Sequence, residues 1–288
     1  MKLRALVKTL APAVLVLSVI YLEIVFLFVV GVSFRPALNA FRAIHPPFQA
    51  SAQSIESQGE EPIRSIKVSQ VPVSKLNKNN TTVIKVSNPK VDYIYIPKDP
   101  PPFSQIAKNN ECKYAVNASY FGGTYTDAVP AGWLSIWGAN LGETRESVLQ
   151  THVVQYNKES RSSEIVPSSS FKTKASKKHL EFQTGPLIIK NGLLEEKLAI
   201  GSKGARESHM RTLIGIDGES SMYLITVREE VDLTMVGNYL LSLDIFAGED
   251  IDIINLDGGH SVALFNQDNP GMNFNEGGIL PMVLCFKS

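Results

Sequence analysis

A chain of 288 residues with 28 basic and 28 acidic side chains carries no net charge at neutral pH, and it is long enough for one large domain or two small ones. Nothing beyond the N-terminus is strongly basic. This excludes the concentrated positive field of a nucleic-acid surface, so no nucleic-acid partner is expected.

Residues 1–9 carry Lys2, Arg4 and Lys8, and the stretch from Leu10 to Phe34 is apolar apart from Glu23. About 25 apolar residues span a hydrocarbon core as a helix, whereas the core of a cleaved signal is shorter. The sequence therefore predicts a cytoplasmic N-terminus (1–9), a single transmembrane anchor (10–34) and a domain on the extracytoplasmic side. Residues 35–62, rich in Pro, Ser, Gln and Ala, read as a linker to a domain spanning 63–288.

An opening strand is expected through Ile66, Val68, Val71 and Val73, followed by strands over 82–86 and 91–96. A short helix is expected over 103–108. Lys113 to Gly123 reads as an apolar strand that ends in polar and aromatic residues and two glycines. It places Asn117 at the strand end, with Tyr120 and Phe121 as pocket-lining or core rings. A turn at 129–133 leads into another strand, and residues 147–156 make a further one. Residues 161–178 read as a Ser/Lys-rich surface loop. Two strands flank Thr184-Gly185-Pro186, and an Asn191-Gly192 turn follows. Residues 193–208 look polar and irregular. Residues 210–216 and 222–227 form a hairpin around Asp217-Gly218.

Leu233, Val236, Leu240, Leu241 and Leu243 form a helical stripe that Asp232 can cap and Gly248 can end. The helix feeds an apolar strand, Ile251 to Leu256, which stops at Asp257-Gly258-Gly259-His260-Ser261. A carboxylate, bare backbone amides, an imidazole and a hydroxyl at a strand end supply the parts of a catalytic loop, and also those of a tight hairpin turn. Closing strands lie near 262–264 and 280–286. The fold class is α+β: a mostly antiparallel or mixed sheet with few helices, behind one transmembrane helix. Cys112 and Cys285 show no metal-type spacing. They would pair in an oxidising compartment and otherwise read as buried thiols, and the reading leans to unpaired thiols. No metal or cofactor is expected.

Four ordered stretches, Asn117 to Phe121, Thr184 to Ile188, Arg211 to Ile216 and Asn255 to Ser261, together resemble the phosphodiester glycosidase family. The resemblance covers about residues 85–288. It implies a hydrolase that cleaves a sugar-1-phosphodiester in a glycan or phosphosugar. Asp257, Arg211, Asn117 and His260 are then the catalytic candidates, and Tyr120, Thr184, Gly185, Gly258, Gly259 and Ser261 the substrate-binding ones. Two departures stand out. Ala118-Ser119 replaces a pair of glycines and His260 replaces a third, which places larger side chains near the site and leaves the family's best-known substrate open.

Glycosidases usually need two carboxyl groups, but a phosphate leaving group needs charge stabilisation more than a proton, so one carboxyl can suffice. Arg211 offers a donor fork for phosphate oxygens, and the Gly258 and Gly259 amides can assist. Asn117 would hold a sugar hydroxyl or a water, and His260 would serve as a base or a second cation. Asn117, Thr184, Arg211 and Asp257 are expected to face one cleft. The alternative is a non-catalytic module of the cell envelope that binds a glycan or phosphosugar.

Overall fold

The computed structural model describes residues 65–66 and 80–287, apart from 175, 200–205, 247–249 and 276. The expected N-terminus (1–9), anchor (10–34) and linker (35–62), and most of the opening strand, lie outside the described residues, as does Gly248. Among the described residues no helix is long and apolar enough to cross a membrane.

The chain runs through β1 (Ser65–Ile66), β2 (Thr81–Ser87), β3 (Lys90–Tyr95) and helix α1 (Phe103–Asn109). Strands β4 (Tyr114–Asn117), β5 (Phe121–Thr124), β6 (Asp127–Pro130), β7 (Leu134–Ile136) and β8 (Ala139–Asn140) follow. Then come β9 (His152–Asn157), β10 (Ser163–Pro167), β11 (His179–Thr184), β12 (Leu187–Lys190), β13 (Leu193–Leu194) and the single turn α2 (Glu196–Ala199). The long hairpin β14 (His209–Asp217) and β15 (Ser221–Val231) leads to α3 (Leu233–Leu241), β16 (Ile251–Asn255), β17 (Leu264–Asn266) and β18 (Met282–Lys287).

A seven-stranded sheet has the order β1-β2-β15-β14-β16-β12-β13. A five-stranded sheet, β10-β9-β11-β7-β8, and a four-stranded sheet, β17-β4-β18-β3, accompany it, with β5-β6 as a separate hairpin. Every strand pairing among the described residues is antiparallel.

The seven-stranded sheet is buried on both faces, which is why its strands read as continuous apolar runs rather than alternating ones. Successive side chains point to opposite faces. Val83, Leu213, Ile225 and Ile253 pack under α3 with Val236 and Leu240. Ile84, Ile214, Leu224 and Ile254 pack on the other face with Leu134, Phe182 and Leu284 from the remaining sheets. A third cluster buries Phe103 and Ile106 of α1 against Ala115, Phe265 and Val283. Asp232 caps α3 by accepting a 2.8 Å hydrogen bond from Met235 N, and the helix ends at Leu241.

Three expectations need correction. The stretch 161–178 is not wholly loop, because β10 pairs with β9 along its length. As an edge strand that is only half-buried, β10 keeps Ile165 and Val166 among Ser163, Glu164 and Pro167, too short a pattern to stand out. The stretch 193–208 contains β13 and α2. Cys112 and Cys285 are disulfide-bonded, not free. Their residues are adjacent only because β18 pairs with β4 beside α1, a proximity that a separation of 173 residues does not reveal. Replacing both cysteines by Ala should lower unfolding stability by about 2–5 kcal/mol. Denaturant titration checks this, and added reductant should move the parent toward the variant without shifting the variant.

Candidate active site

Strand β16 lies between β14 and β12, and the chain leaves the sheet at Leu256. Leu256 N still donates to Thr212 O of β14 at 2.8 Å, but Asp257 N donates to Ala118 O, just past β4, at 3.1 Å. Asp257 therefore stands where the seven- and four-stranded sheets meet. Asn117 locks this junction. Its Nδ2 donates to the Asp257 carbonyl at 2.7 Å, and its Oδ1 accepts from Thr212 Oγ1 at 2.5 Å and from Ala263 N at 3.2 Å.

The turn itself explains its glycines. A Cβ on Gly258 would lie 2.7 Å from Met210 O, so any side chain would push the loop off β14. Gly259 has φ +61° and open space around it. A short 3-10 turn over Gly259–Ser261 then brings the Ser261 hydroxyl back toward the Asp257 carboxyl. Asp257 Oδ1 accepts from Gly258 N at 2.9 Å. Burial raises the Asp257 pKa to about 6, against the opposing hydrogen bonds from Ser261 and Gly258.

Arg211 projects from β14 into the same cleft and is 5 % exposed. Its Nε donates to Val231 O at 3.1 Å and its Nη2 to Glu207 O. Among the described residues it makes no ion pair with a carboxylate. Burial lowers its pKa, opposed by the neighbouring Tyr120, Asp232 and Glu207, but a guanidinium stays protonated near neutral pH. A buried cation bonded only to carbonyl oxygens and open to a cleft is suited to an anion.

The cleft has a volume of about 460 Å³, within the range that holds a small organic ligand. Tyr120, Arg211, Asp257, Gly258, Gly259, His260 and Ser261 line it, together with Phe121, Gly123, Tyr125, Leu149, Glu207, His209 and Leu233. The Tyr120 hydroxyl donates to Gly185 O at 2.9 Å and accepts from Asn255 Nδ2 at 2.7 Å. Burial holds its pKa well above the ordinary phenol value.

The remaining expected residues serve from behind the wall. Asn117 is buried beneath the loop rather than open to the cleft, and its oxygen is engaged on both sides. Thr184 is buried with its hydroxyl on Asn255 O at 2.8 Å, and Gly185 acts through its backbone. The Gly258 amide is committed to Asp257 and is not available to a ligand. Ala118 and Ser119 do not narrow the site. Both are buried, and Ser119 Oγ hydrogen-bonds Tyr93 Oη at 2.6 Å in the core.

Three polar groups escaped the sequence reading. Tyr125, at the β5–β6 turn, places its hydroxyl 3.3 Å from Ser261 Oγ. His209 Nε2 lies 3.6 Å from Glu207 Oε2, and both line the cleft beside Arg211. Alternation along the strand did not reveal His209, because the β14–β15 register shifts between His209 and Arg211. Among the described residues no group of three or more His, Cys, Asp or Glu could hold a metal ion.

Residues 110–279 match the family described as phosphodiester glycosidase. No curated protein matches the chain. Among solved structures, the zebrafish N-acetylglucosamine-1-phosphodiester alpha-N-acetylglucosaminidase catalytic domain, auto-inhibited by its pro-peptide, is similar at 16 % identity. That match covers 72 % of this chain and 76 % of that one, with a TM-score of 0.49. A hypothetical protein from Synechocystis is similar at 11 % identity over 72 % of this chain and 59 % of that one, with a TM-score of 0.45.

The Asp257 environment makes a stability prediction. The folded carboxyl titrates near 6 against 3.8 for an unperturbed Asp, so its contribution favours folding fully below about pH 3.8 and is lost as pH rises through 6. A shift of about two units corresponds to roughly 3 kcal/mol. Asp257→Asn carries no titrating group. Its stability relative to the parent should therefore rise by about 2–3 kcal/mol between pH 4 and pH 8, read by denaturant unfolding at both. A difference that stays flat with pH would show that the carboxyl is not desolvated.

Proposed function

The chain belongs to the phosphodiester glycosidase family, and from that premise we propose that it hydrolyses the bond between a sugar's anomeric carbon and phosphate, with Asp257 as general base and Arg211 as the phosphate cation. One observation carries this reading: a carboxyl made more basic by burial and a buried guanidinium without a carboxylate partner line the same cleft.

The division of labour follows from the two charges. A phosphate leaving group departs as a stable anion and needs a counter-charge rather than a proton. Arg211 can provide that charge with its unused donors. Water then needs a base. A carboxyl titrating near 6 is mostly ionised at neutral pH and still basic enough to take a proton in the transition state. Water adds at the anomeric carbon, its proton passes to Asp257 and the carbon–oxygen bond to phosphate breaks. The products are a free reducing sugar and a phosphomonoester. A carboxylate acting on water rather than on carbon inverts the anomeric centre. Tyr120, held by Asn255 and Gly185, supplies a rigid wall, and His209 and His260 border the cleft.

Export belongs to the same proposal. The Cys112–Cys285 bond suits an oxidising compartment, and the apolar stretch 10–34 suits an anchor that leaves the domain outside the cytoplasm.

The test is incubation with sugar-1-phosphodiesters, following released reducing sugar and phosphomonoester. Activity should rise with pH through about 6, as Asp257 ionises. Asp257→Asn should lower kcat by about 10²–10⁴-fold, and Arg211→Gln should lower kcat/KM comparably. The first-formed sugar anomer, read by NMR, should be inverted. Tight binding without turnover in the parent would identify a binding module instead.

A further inference from the structure

The turn that joins β5 to β6 carries Tyr125, where a two-residue hairpin turn favours Gly, Asn or Asp. The backbone does not call for an aromatic there. Gly123 already relieves the hairpin, with φ +83° and no room for a Cβ, which would lie 2.3 Å from Asp127 O. The tip is also held from outside. Asp99 N donates to Thr126 O at 3.0 Å, Ala128 N to Pro97 O at 2.8 Å and Tyr95 Oη to Ala128 O at 2.8 Å. A fixed tip therefore projects a phenol into the cleft, and the Phe121 ring, packed edge to face at 5.2 Å, sets its tilt. The phenol oxygen ends 3.3 Å from Ser261 Oγ in the Asp257 turn.

Ser261 is buried, and its hydroxyl has one proton and two lone pairs. An ionised carboxylate only accepts, and a bond to it is roughly twice as strong as one to a neutral oxygen. The Ser261 proton therefore goes to Asp257, with which the hydroxyl is hydrogen-bonded. That leaves Tyr125 facing a Ser261 lone pair, so the phenol donates. Asp257 then has donors from Ser261 and from Gly258 N, and its other lone pairs are left for water.

We propose that Tyr125 is a positioning residue for the reaction: its hydroxyl donates to Ser261 Oγ and so commits the Ser261 proton to the Asp257 carboxylate, which fixes the orientation of the base. The proposal rests on the glycosidase reading and gives Ser261 a task inside the turn rather than on the substrate. Hydrogen bonds in a chain polarise and strengthen one another. At 3.3 Å the outer bond is long for two hydroxyls, and catalytic hydrogen bonds commonly tighten only when substrate is bound. The other charged or titratable groups around Asp257 are Arg211, Glu207 and His209 on the β14 side, His260 in the turn, and the buried phenols Tyr93 and Tyr120. All of them stay in place when Tyr125 loses only its hydroxyl.

The test compares the full chain in detergent micelles with Tyr125→Phe, Ser261→Ala and the double variant, using 13C-labelled aspartate and a sugar-1-phosphodiester. Tyr125→Phe keeps the ring against Phe121 at a position that is 39 % exposed, so folding is preserved. The Asp257 carboxyl signal, assigned by its absence from Asp257→Asn, should titrate about half a unit higher in Tyr125→Phe and about one unit or more higher in Ser261→Ala. The double variant should match Ser261→Ala, because Tyr125 acts only through Ser261. The acid limb of kcat/KM should move up with these midpoints. At pH 8, Tyr125→Phe should lower kcat by about threefold or more with KM unchanged. A midpoint that does not move in Tyr125→Phe, or that still moves when Ser261 is already Ala, overturns the proposal and leaves the glycosidase reading standing. So does a raised KM with unchanged kcat, because Tyr125 then contacts the substrate rather than the base. Failure of the parent to hydrolyse any such diester overturns the glycosidase reading, and the carboxyl midpoints, which need no turnover, still confirm or overturn the hydroxyl chain.

Discussion

Asn117 Nδ2 holds the Asp257 carbonyl at 2.7 Å while Oδ1 takes Thr212 Oγ1 and Ala263 N, and this group of bonds ties three parts of the fold together. It joins the end of β4, the middle of β14 and both flanks of the Asp257 turn. A buried amide with partners on both its nitrogen and its oxygen is strong because the alternatives are poor. Removing it would strand a carbonyl, a hydroxyl and an amide away from water, at about 1–3 kcal/mol for each group left unpaired. The turn is therefore held by the whole domain rather than by its own short loop. Sequence reading gave Asn117 a substrate-facing role, and the structure gives it the task of holding still the residue that would face substrate.

What is held in place is electrostatically unfavourable on its own. The Asp257 carboxyl is desolvated enough to raise its pKa to about 6, and the Arg211 guanidinium is buried with carbonyl oxygens as its partners. Neither arrangement helps the fold, since buried charge is costly unless paired. The cores on both faces of the seven-stranded sheet offset that cost, which is how rigid scaffolds carry unfavourable sites. An anionic ligand beside Arg211 would supply the partner the protein withholds.

How much of this was legible depended on burial and pattern. The strands of the central sheet were readable because both faces are covered, so Val83 with Ile84 and Ile253 with Ile254 appear as unbroken apolar pairs. The α3 stripe and its Asp232 cap were readable for the same reason. The edge strand β10 was not, because half its side chains meet water. The positions of Asp257 and Arg211 at strand ends could be read from local order. Which polar side chains turn inward could not. Asn117 and Thr184 look in sequence like cleft residues, and only their partners show that they are satisfied in the interior. Glu207 and His209 follow a polar stretch without period, so nothing local linked them to the cleft. The Cys112–Cys285 bond depends on two strands meeting across the length of the domain.

The alternation of β14 explains why the carboxyl and the guanidinium cannot drift independently. Arg211 shares a face with Leu213, the face covered by α3, while Thr212 points the other way, toward Asn117. Strand β16 alternates in step, since Ile253 lies on the α3 side and Leu256 on the opposite side with Ile254. The chain leaves the sheet at Leu256, and the bond from Asp257 N to Ala118 O then carries Asp257 to the cleft that Arg211 lines. The register Leu213↔Asn255 and the bond from Leu256 N to Thr212 O then fix how far along the strands the two groups stand. A slip of one residue in β14 would turn Arg211 to the opposite face of the sheet. Gly258, pressed against Met210 O, makes such a slip sterically difficult at the point where it would matter. The spacing of carboxyl and guanidinium thus depends on sheet register, which hydrophobic burial on both faces enforces, and on the bonds with Ala118 and Asn117 that hold the turn.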